Sequence, residues 1–559
     1  MNILGLQKNH NASVALFCDS KLVYYNQEER LSKIKNDSFF PYHLLNEVKK
    51  LNVKIDKVIA TGYNSFDAHP IYGYMKKIGL IVSPYHDVYH YYKSHHYTHA
   101  ARAFFASKMK KALILVADGR GSSYILDNGE QAFETISVYN CGINEQANAA
   151  GMDTLYKKLV TTRQGHNAKV KPQEVYGFDF KAKPIAIDDG TKFDVDHRPS
   201  AGAFYSRITN FLGFRTCDEG KLMGLQSYGK PNKRVEEILS DEDLFFYKDK
   251  YSKNINFSLN LEKFPELYYH RKLNFKDIHY DLAYETQMKF EREIVEVLNR
   301  CATNHKNIII TGGCGLNVVF NYRLKKALPK DVNLYIDPLC GDEGNSIGAA
   351  IVYSQECGKN NDWDNIYLGP QPKYTIDKGN DKIETVVEHL TNQKIVGLYQ
   401  GRAEAGPRAL GNRSLLLDPR IKNGKDIMNK VKQREWFRPF GASILEEEAH
   451  KWFDMAGLKD SPYMLYAVEA LKGVEEKIPA VIHVDNTCRI QTVNEKQNPV
   501  LYRILKLFNE KTGVPILMNT SFNLAGDALV ETPEDAIDTF ENSDIDYLYF
   551  ADIERLYTE

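Results

Sequence analysis

The chain has 559 residues, 43% hydrophobic and 26% charged, which is the composition of a globular protein too long for a single core. Its 72 basic and 73 acidic residues nearly cancel, so we expect no overall electrostatic attraction to nucleic acid or to an anionic membrane. No apolar run approaches the roughly 18 residues of a membrane span, the first residues lack a signal-peptide pattern, and the eight cysteines form no C-x-x-C pair. These absences predict a cytosolic protein with no membrane partner.

Short apolar runs separated by polar turns predict a β-meander at the start of the chain: ILGL, SVALFC and KLVYYNQ. The later run ALILVADGRGSSYILDNG repeats this scheme, so we predict a duplicated α/β core. His10 lies in the turn after the first run. An imidazole there can act as general base on a hydroxyl or serve as a hydrogen-bonded turn residue, and the sequence leaves both open.

Two histidines and two aspartates form a candidate metal site. His95 and His99 lie four apart on a predicted helix, which places both on one face and leaves His96 pointing away. Asp118 and Asp342 each end an apolar run, and ligands gather at the carboxyl ends of strands in α/β folds. Such N and O donors suit Fe(II), Mn(II) or Zn(II). The alternative is a pair of ordinary surface or core histidines.

Residues 141–200 carry few strand or helix signals and predict an insertion in the first domain. Lysines, among them Lys157 and Lys158, precede the aromatic run VYGFDFKAKP. This pattern leaves open a nucleic-acid groove or a solvated loop.

Two glycine-containing segments resemble nucleotide-binding loops. The first, TGGCGLN, offers close backbone approach at Gly312 and Gly313 and an amide at Asn317. The second, CDEGKLMGLQSYGKP, offers Glu219 and Lys221 for ribose and phosphate. Each signal is weak alone, because glycine turns are common in α/β proteins.

The polar segment 356–382 predicts a linker between domains at 1–355 and 383–559. In the second domain, the loop GRAEAGPRALGNRS packs Arg402, Arg408 and Arg413 on a glycine-rich frame, which favours a phosphate or carboxylate site. Other motifs of this domain add cations and polar donors to the same predicted pocket: Lys432, Arg434, Arg438, Arg489, Ser521 and Asn523. We expect the pocket to hold a nucleoside triphosphate and a second small phosphate.

The ordered motifs resemble those of the NodU/CmcH-type O-carbamoyltransferase family over almost the whole chain. They are H-x-A-S from His10, QEERLSK, HHYTHAARAF, DEGKLMGLQSYGKP, GGCGLN, GDEG, GPRALGNRSLLLDPR, VKQREWFRPF, HVDNTCRIQTV and NTSFN.

The resemblance implies an N-terminal domain of the actin/hexokinase superfamily and a C-terminal YrdC-like domain. It implies that the second domain makes carbamoyl adenylate from carbamoyl phosphate and Mg-ATP, and that the first transfers the carbamoyl group to an acceptor hydroxyl, assisted by iron. It assigns metal binding to the His95, His99, Asp118 and Asp342 set and the base to His10. Lys432 and Arg489 match residues that handle carbamoyl phosphate and the adenylate.

Two positions depart from the family pattern. Asn11 stands where the family commonly has Asp, and Asn486 stands in a turn that favours a positive φ, which Asn tolerates. We expect a small-molecule acceptor, with a hydroxymethylpyrimidine of DNA as the alternative. A non-catalytic nucleotide-binding module is the remaining class, and the oligomeric state, a homodimer included, is left open.

Overall fold

The computed structural model describes residues 1–558 except 9, 62–64, 85–88, 92–94, 127–128, 145–148, 162–189, 242–243, 248–256, 269–273, 303 and 359–365. The chain forms two compact units. Unit 1 comprises Met1–His90, Val318–Lys330 and Gly341–Glu559, and unit 2 comprises Tyr91–Asn317 and Asp331–Cys340. Unit 1 thus groups the N-terminal strands with the C-terminal part of the chain. The predicted domain boundary at 356–382 stays a prediction.

The N-terminal part of unit 1 is built on a five-stranded sheet. Its strands are β1 (Asn2–Gln7), β2 (Ser13–Cys18), β3 (Lys21–Gln27), β4 (Lys57–Thr61) and β5 (Tyr89–Tyr91), in the order β3-β2-β1-β4-β5. The helices are α1 (Glu28–Ser32), α2 (Tyr42–Lys50) and α3 (Ser65–Lys77). The first three strands are antiparallel and confirm the predicted meander, whereas β4 runs parallel to β1.

The described residues of unit 2 form a second large sheet, a separate pair of antiparallel strands, β11 and β12, and five helices. The strands are β6 (Lys111–Ala117), β7 (Ser123–Ile125), β8 (Gln131–Asn144), β9 (Ala149–Thr161), β10 (Lys192–Asp196), β11 (Phe245–Tyr247), β12 (Phe257–Leu259), β13 (Asn307–Thr311) and β14 (Asn333–Ile336). The helices are α4 (His95–Ser107), α5 (Ala201–Phe211), α6 (Glu219–Leu225), α7 (Lys233–Ser240) and α8 (Asp277–Cys301). The main sheet has the order β10-β9-β8-β6-β13-β14, and β7 pairs with β8.

The two sheets confirm the predicted duplication. In each, a central strand pairs antiparallel with the next strand of a meander on one side and parallel with a later strand on the other. The apolar runs of β6 and β13 are buried on both faces because helices cover a sheet at its parallel strands.

The predicted insertion at 141–200 needs correction at both ends. Its first residues lie in β8 and β9, which are long paired strands, and β10 closes the segment. Lys157 is buried in β9, and a buried lysine breaks the apolar pattern by which a strand is recognised in a sequence. Residues 162–189, including the aromatic run, lie outside the described residues.

Unit 1 continues with α9 (Val318–Ala327) and α10 (Asn345–Glu356) and then a nine-stranded sheet. The strands are β15 (Val396–Tyr399), β16 (Arg413–Leu417), β17 (Gly441–Leu445), β18 (Phe453–Asp454), β19 (Ala467–Ala470), β20 (Thr487–Val493), β21 (Ile516–Ser521), β22 (Tyr547–Phe550) and β23 (Arg555–Tyr557). The helices are α11 (Ile383–Thr391), α12 (Gly424–Val431), α13 (Ala449–Trp452), α14 (Pro499–Thr512) and α15 (Pro533–Glu541).

This sheet has the order β18-β19-β20-β17-β21-β16-β15-β22-β23 and mixes parallel and antiparallel pairs. These sheets and their helices confirm the predicted α/β class. Among the helices that the structure describes, none has the length and apolar character needed to cross a bilayer.

Candidate functional site

In unit 2, the two predicted histidine ligands and one aspartate converge. His95 and His99 begin α4 and share one face of the helix, so their Nε2 atoms lie 3.2 Å apart. Asp118 directly follows β6, and its Oδ2 lies 3.2 Å from His95 Nε2 and 3.7 Å from His99 Nε2. The rings of both histidines are nearly or fully buried. The helix and the strand end therefore bring three candidate ligands together as predicted.

Two of these three separations fit the ligands of a single divalent ion, and the 3.7 Å between His99 and Asp118 is slightly longer. Ligand atoms held about 2.1 Å from a metal lie about 3.0 to 3.4 Å from their neighbours in octahedral or tetrahedral geometry. Burial opposes ionisation of Asp118, but hydrogen bonds from His95 and His99 hold the pKa of its carboxyl well below the ordinary value. Burial, followed by the charge of Asp118, raises the pKa of the Cys314 thiol well above its ordinary value. The donor set is thus two imidazoles and a carboxylate, without a thiolate.

His96 has the structural role that its position predicted. Its ring is fully buried, and Nδ1 lies 2.8 Å from the hydroxyl of Ser137. Burial lowers the pKa of His96 to about 3, so the ring is neutral at physiological pH.

The fourth predicted ligand, Asp342, and the predicted base, His10, lie in unit 1. Asp342 does not end a strand as expected, because β14 stops at Ile336 and Asp342 begins a short turn of 3-10 helix. Its Oδ2 accepts a hydrogen bond from Gln7 Nε2 (3.2 Å) and lies 3.8 Å from Nε2 of His10. Asp342 is buried, whereas the His10 side chain is half exposed. The role of Asp342 as a ligand stays a prediction.

Close packing between β1 and α10 fixes this corner of unit 1. A Cβ on Gly5 would lie 1.9 Å from the Ser346 carbonyl oxygen, so only glycine allows the approach. The Ser13 hydroxyl donates to the Glu343 carbonyl and can accept from the Ser346 hydroxyl, both at 2.8 Å. Asn11, in the same turn as His10, has a φ of 65°. The turn that carries His10 is therefore held by backbone geometry and by buried hydroxyls.

The C-terminal sheet of unit 1 carries a cluster of cations, of which Lys432 is fully buried and Arg434 and Arg489 are half-buried. Lys432, at the end of α12, is fully buried and donates to Asn523 Oδ1 (2.9 Å), to the Ser521 hydroxyl (3.2 Å) and to the Ser521 carbonyl. Arg434 makes only long contacts, 3.4 Å to the Thr520 hydroxyl and 3.5 Å to that of Ser521. The structure thus confirms that Ser521 and Asn523 lie beside the predicted cations.

Burial, followed by the charges of Arg434, Lys35 and Arg438, lowers the pKa of Lys432 well below its ordinary value. Burial and the charge of Arg408 do the same to Arg489. The pKa of Arg434 falls to about 9 from burial and the charge of Arg438.

Carboxylates do not neutralise this cluster. Among the described residues, none of Lys432, Arg434 and Arg489 has a carboxylate oxygen within 4 Å, and the buried Nε of Arg489 has no hydrogen-bond partner. Arg438 lies 3.5 Å from Glu435. A fully buried lysine without a counter-ion costs several kcal/mol, and the half-buried arginines beside it add positive charge, so the arrangement favours an anionic ligand.

The three arginines of the predicted arginine loop differ in burial and in contacts. Arg413 is fully buried and stacks 3.6 Å from the ring centre of Tyr399. It donates to four main-chain carbonyls, at 2.6 to 3.3 Å: those of Gln400, Gly401, Asn412 and Glu531. These contacts give Arg413 a role in holding the loop, and its predicted anion contact stays a prediction. Arg402 is exposed, and Arg408 is half-buried beside Arg489.

The nucleotide loops predicted in unit 2 have mainly structural contacts. Gly312 has a φ of 84°, and a Cβ there would lie 2.3 Å from the Ala117 carbonyl oxygen, so this glycine permits packing on β6. A Cβ on Gly313 would lie 3.0 Å from Oδ1 of Asp118. This turn therefore packs against the end of β6 and against Asp118.

Asn317 exchanges hydrogen bonds of 2.9 and 3.1 Å with Gln287, which occupies its amide. Lys221 pairs with Asp218 at 2.9 Å, and Glu219 is half-buried at the start of α6. Nucleotide binding by Glu219 and Lys221 stays a prediction.

Sequence reasoning missed two residues that shape or extend the cation cluster and the arginine loop. Glu404 is buried, and its Oε1 accepts from the backbone N–H groups of Leu410, Asn412 and Arg413 at 2.7 to 3.2 Å, which shapes the arginine loop. Lys35 adds positive charge near Lys432. The motif QEERLSK contained a signal for this region, because Arg30 of that motif donates to the carbonyls of Glu404 and Gly406.

Family comparisons match both parts of the chain. A family model described as "Carbamoyltransferase N-terminus" matches residues 57–351, and one described as "Carbamoyltransferase C-terminus" matches residues 387–555.

Curated relatives cover most of the chain. An uncharacterized protein of Methanocaldococcus jannaschii is 37% identical over 63% of this chain and 61% of its own length. Nodulation protein NolO of Bradyrhizobium diazoefficiens is 31% identical over 66% of this chain and 72% of its own. Nodulation protein NolNO of Sinorhizobium fredii is 31% identical over 66% and 58%. The chain therefore spans less than two thirds of two of these three relatives.

Solved structures give weaker likenesses. Full-length HypF in a phosphate- and nucleotide-bound form is 12% identical, with a TM-score of 0.34, over 65% of this chain and 56% of that one. HypF of T. kodakarensis has a TM-score of 0.30 over 64% and 48%.

Proposed function

The chain belongs to the carbamoyltransferase family of enzymes, and we propose that it is an ATP-dependent O-carbamoyltransferase with two half-reactions. In the first, carbamoyl phosphate loses phosphate to water, and the resulting carbamate oxygen attacks the α-phosphorus of ATP. The bond to pyrophosphate breaks and carbamoyl adenylate forms. In the second, an acceptor hydroxyl attacks the carbamoyl carbon, and AMP leaves as the hydroxyl proton is lost.

The cation cluster of unit 1 is the observation that carries this proposal. Within the part of the chain that the structure describes, Lys432, Arg434 and Arg489 have no carboxylate partner, and a phosphate-bearing substrate supplies negative charge to the buried lysine and the arginines beside it. Carbamate is a poor electrophile because its nitrogen donates electrons to the carbonyl. Adenylation makes its oxygen a better leaving group, and fixed cations stabilise the charge that develops on the phosphates.

The second half-reaction belongs to the histidine–aspartate site. We propose His95, His99, Asp118 and Asp342 as ligands for Fe(II), with Mn(II) or Zn(II) as alternatives, and Mg(II) as the ion that accompanies ATP. A divalent ion there supplies Lewis acidity towards the carbonyl or the adenylate phosphate. His10 is the proposed base, because a half-exposed imidazole beside Asp342 is able to take the proton of an acceptor hydroxyl.

The acceptor we propose is a small molecule. Lys157 and Lys158, which the sequence offered as phosphate contacts, have other partners: Lys157 is buried against Glu134, and Lys158 pairs with Glu293 at 2.7 Å. A base in DNA also has to be flipped or single-stranded to reach a buried site.

A half-reaction experiment tests the proposal. Purified protein with ATP and carbamoyl phosphate should release pyrophosphate, and mass spectrometry of a panel of hydroxyl compounds should find one carbamoyl addition. Arg489→Ala should stop pyrophosphate release. His99→Ala, shown to be folded by circular dichroism, should keep it and lose transfer.

Each alternative has its own outcome. Absence of pyrophosphate release leaves only the non-catalytic nucleotide-binding module. Carbamoyl on hydroxymethylated DNA, with binding that weakens steeply as salt rises, replaces the small molecule with a nucleic acid. Loss of both half-reactions in folded His99→Ala contradicts the assignment of adenylate formation and carbamoyl transfer to two different sites.

A further inference from the structure

A buried ion pair lies next to the first turn of α4, the helix that carries His95 and His99. Glu134, on β8, is fully buried, and its Oε2 accepts hydrogen bonds from Lys157 Nζ (2.6 Å) and from the Tyr124 hydroxyl (3.2 Å). Lys157, on β9, also contacts the hydroxyls of Ser137 (3.2 Å) and Tyr139 (3.1 Å). Both charges are therefore paired inside the unit.

The second carboxylate oxygen of Glu134 holds the start of α4. Its Oε1 accepts from the backbone N–H groups of His96 (3.2 Å) and Ser122 (3.1 Å), and the Ser122 hydroxyl accepts from the N–H of His95 (2.9 Å). N–H groups in the first turn of a helix have no partner within the helix, and a negative charge there complements the helix dipole. A Cβ on Gly121 would lie 2.7 Å from Glu134 Cγ, so the loop is built around this side chain.

We propose that Glu134, held by Lys157, is a positioning residue for the metal-binding pair His95 and His99. The proposal rests on the metal site of the proposed function. Glu134 fixes the first turn of α4, where His95 lies, and His99 follows one turn later on the same face. An apolar pair of similar volume would fill this space with equal or greater stability. The charges instead hold the first turn of α4 in one position and orientation. That orientation determines where the imidazoles of His95 and His99 meet.

Cobalt binding by the full-length protein tests the proposal without an activity measurement. Metal-free protein is titrated with Co²⁺, and its visible ligand-field absorption reports affinity and geometry. The double variant Glu134→Gln/Lys157→Met removes both buried charges, so it leaves none unpaired. We expect it to melt near the wild-type temperature and to bind Co²⁺ more weakly, by up to the roughly 10- to 100-fold that follows from losing a hydrogen-bond partner of a ligand itself.

Two further variants sharpen the test. Ser122→Ala removes the acceptor of the His95 N–H and leaves the buried charges in place, so weaker Co²⁺ binding is again expected. Lys158→Met is the matched control, because it breaks a neighbouring ion pair to Glu293 and should bind as the wild type does.

The outcomes separate the two proposals. Wild-type Co²⁺ affinity and spectrum in the folded double variant and in Ser122→Ala overturn the positioning role alone. No Co²⁺ binding by the wild type overturns the metal site, and the positioning role with it.

Discussion

Replacing Lys432 with methionine should abolish most adenylate formation and leave the substrate-free protein no less stable. The side chain is fully buried, and burial with the charges of Arg434, Lys35 and Arg438 lowers its pKa. Each pKa unit by which folding depresses a lysine costs about 1.4 kcal/mol while the group stays protonated. Methionine is similar in volume and uncharged, so the relief of this cost offsets the lost hydrogen bonds to Ser521 and Asn523.

The same substitution should change the pH dependence of stability. A lysine with a depressed folded pKa costs stability below that pKa, and the cost disappears as pH rises towards the unfolded value of about 10.4. Across this window the unfolded chain binds more protons. The unfolding free energy of the wild type should therefore increase relative to that of Lys432→Met as pH rises.

The catalytic loss follows from the contact that Lys432 offers a phosphate. A charge-assisted hydrogen bond contributes about 1.5 to 3 kcal/mol, so pyrophosphate release from ATP and carbamoyl phosphate should slow roughly 10- to 150-fold. Lys430→Met is the matched control, because Lys430 is highly exposed near the end of the same helix. Urea denaturation measures stability from pH 6 to 10. A wild-type rate, or a stability loss above about 2 kcal/mol, would refute the reasoning.

Three other substitutions test separate parts of the molecule. Arg413→Lys should lower the unfolding free energy in urea by about 2 to 4 kcal/mol, because an ammonium cannot keep the carbonyl contacts and the stacking on Tyr399; an unchanged value would return Arg413 to the anion site. Gly312→Ala should lower stability by at least about 1 kcal/mol in a thermal melt, because its φ is 84° and a Cβ meets Ala117; a wild-type melt would contradict this. His10→Gln should slow transfer to the acceptor about 10²- to 10⁴-fold and spare pyrophosphate release, with equal loss of both arguing against a base.

The sequence by itself determined the local features of this protein. Period-two and apolar patterns located the first meander, β6 and β13, and the four-residue spacing of His95 and His99 placed them on one face of a helix. Asn486 adopts the predicted positive φ, at 60°. Such features depend on a few neighbouring residues, so they can be predicted from the sequence.

Only the tertiary structure decided what each charged side chain touches. Lys157 pairs with Glu134, 23 residues away, and Arg413 donates to main-chain carbonyls around its own loop. Lys432 meets Ser521 and Asn523 across about ninety residues. The physical reason is that charged residue types are usually exposed, so a sequence pattern predicts exposure for each of them. Whether one is buried depends on strand pairings between distant segments, which no local pattern records.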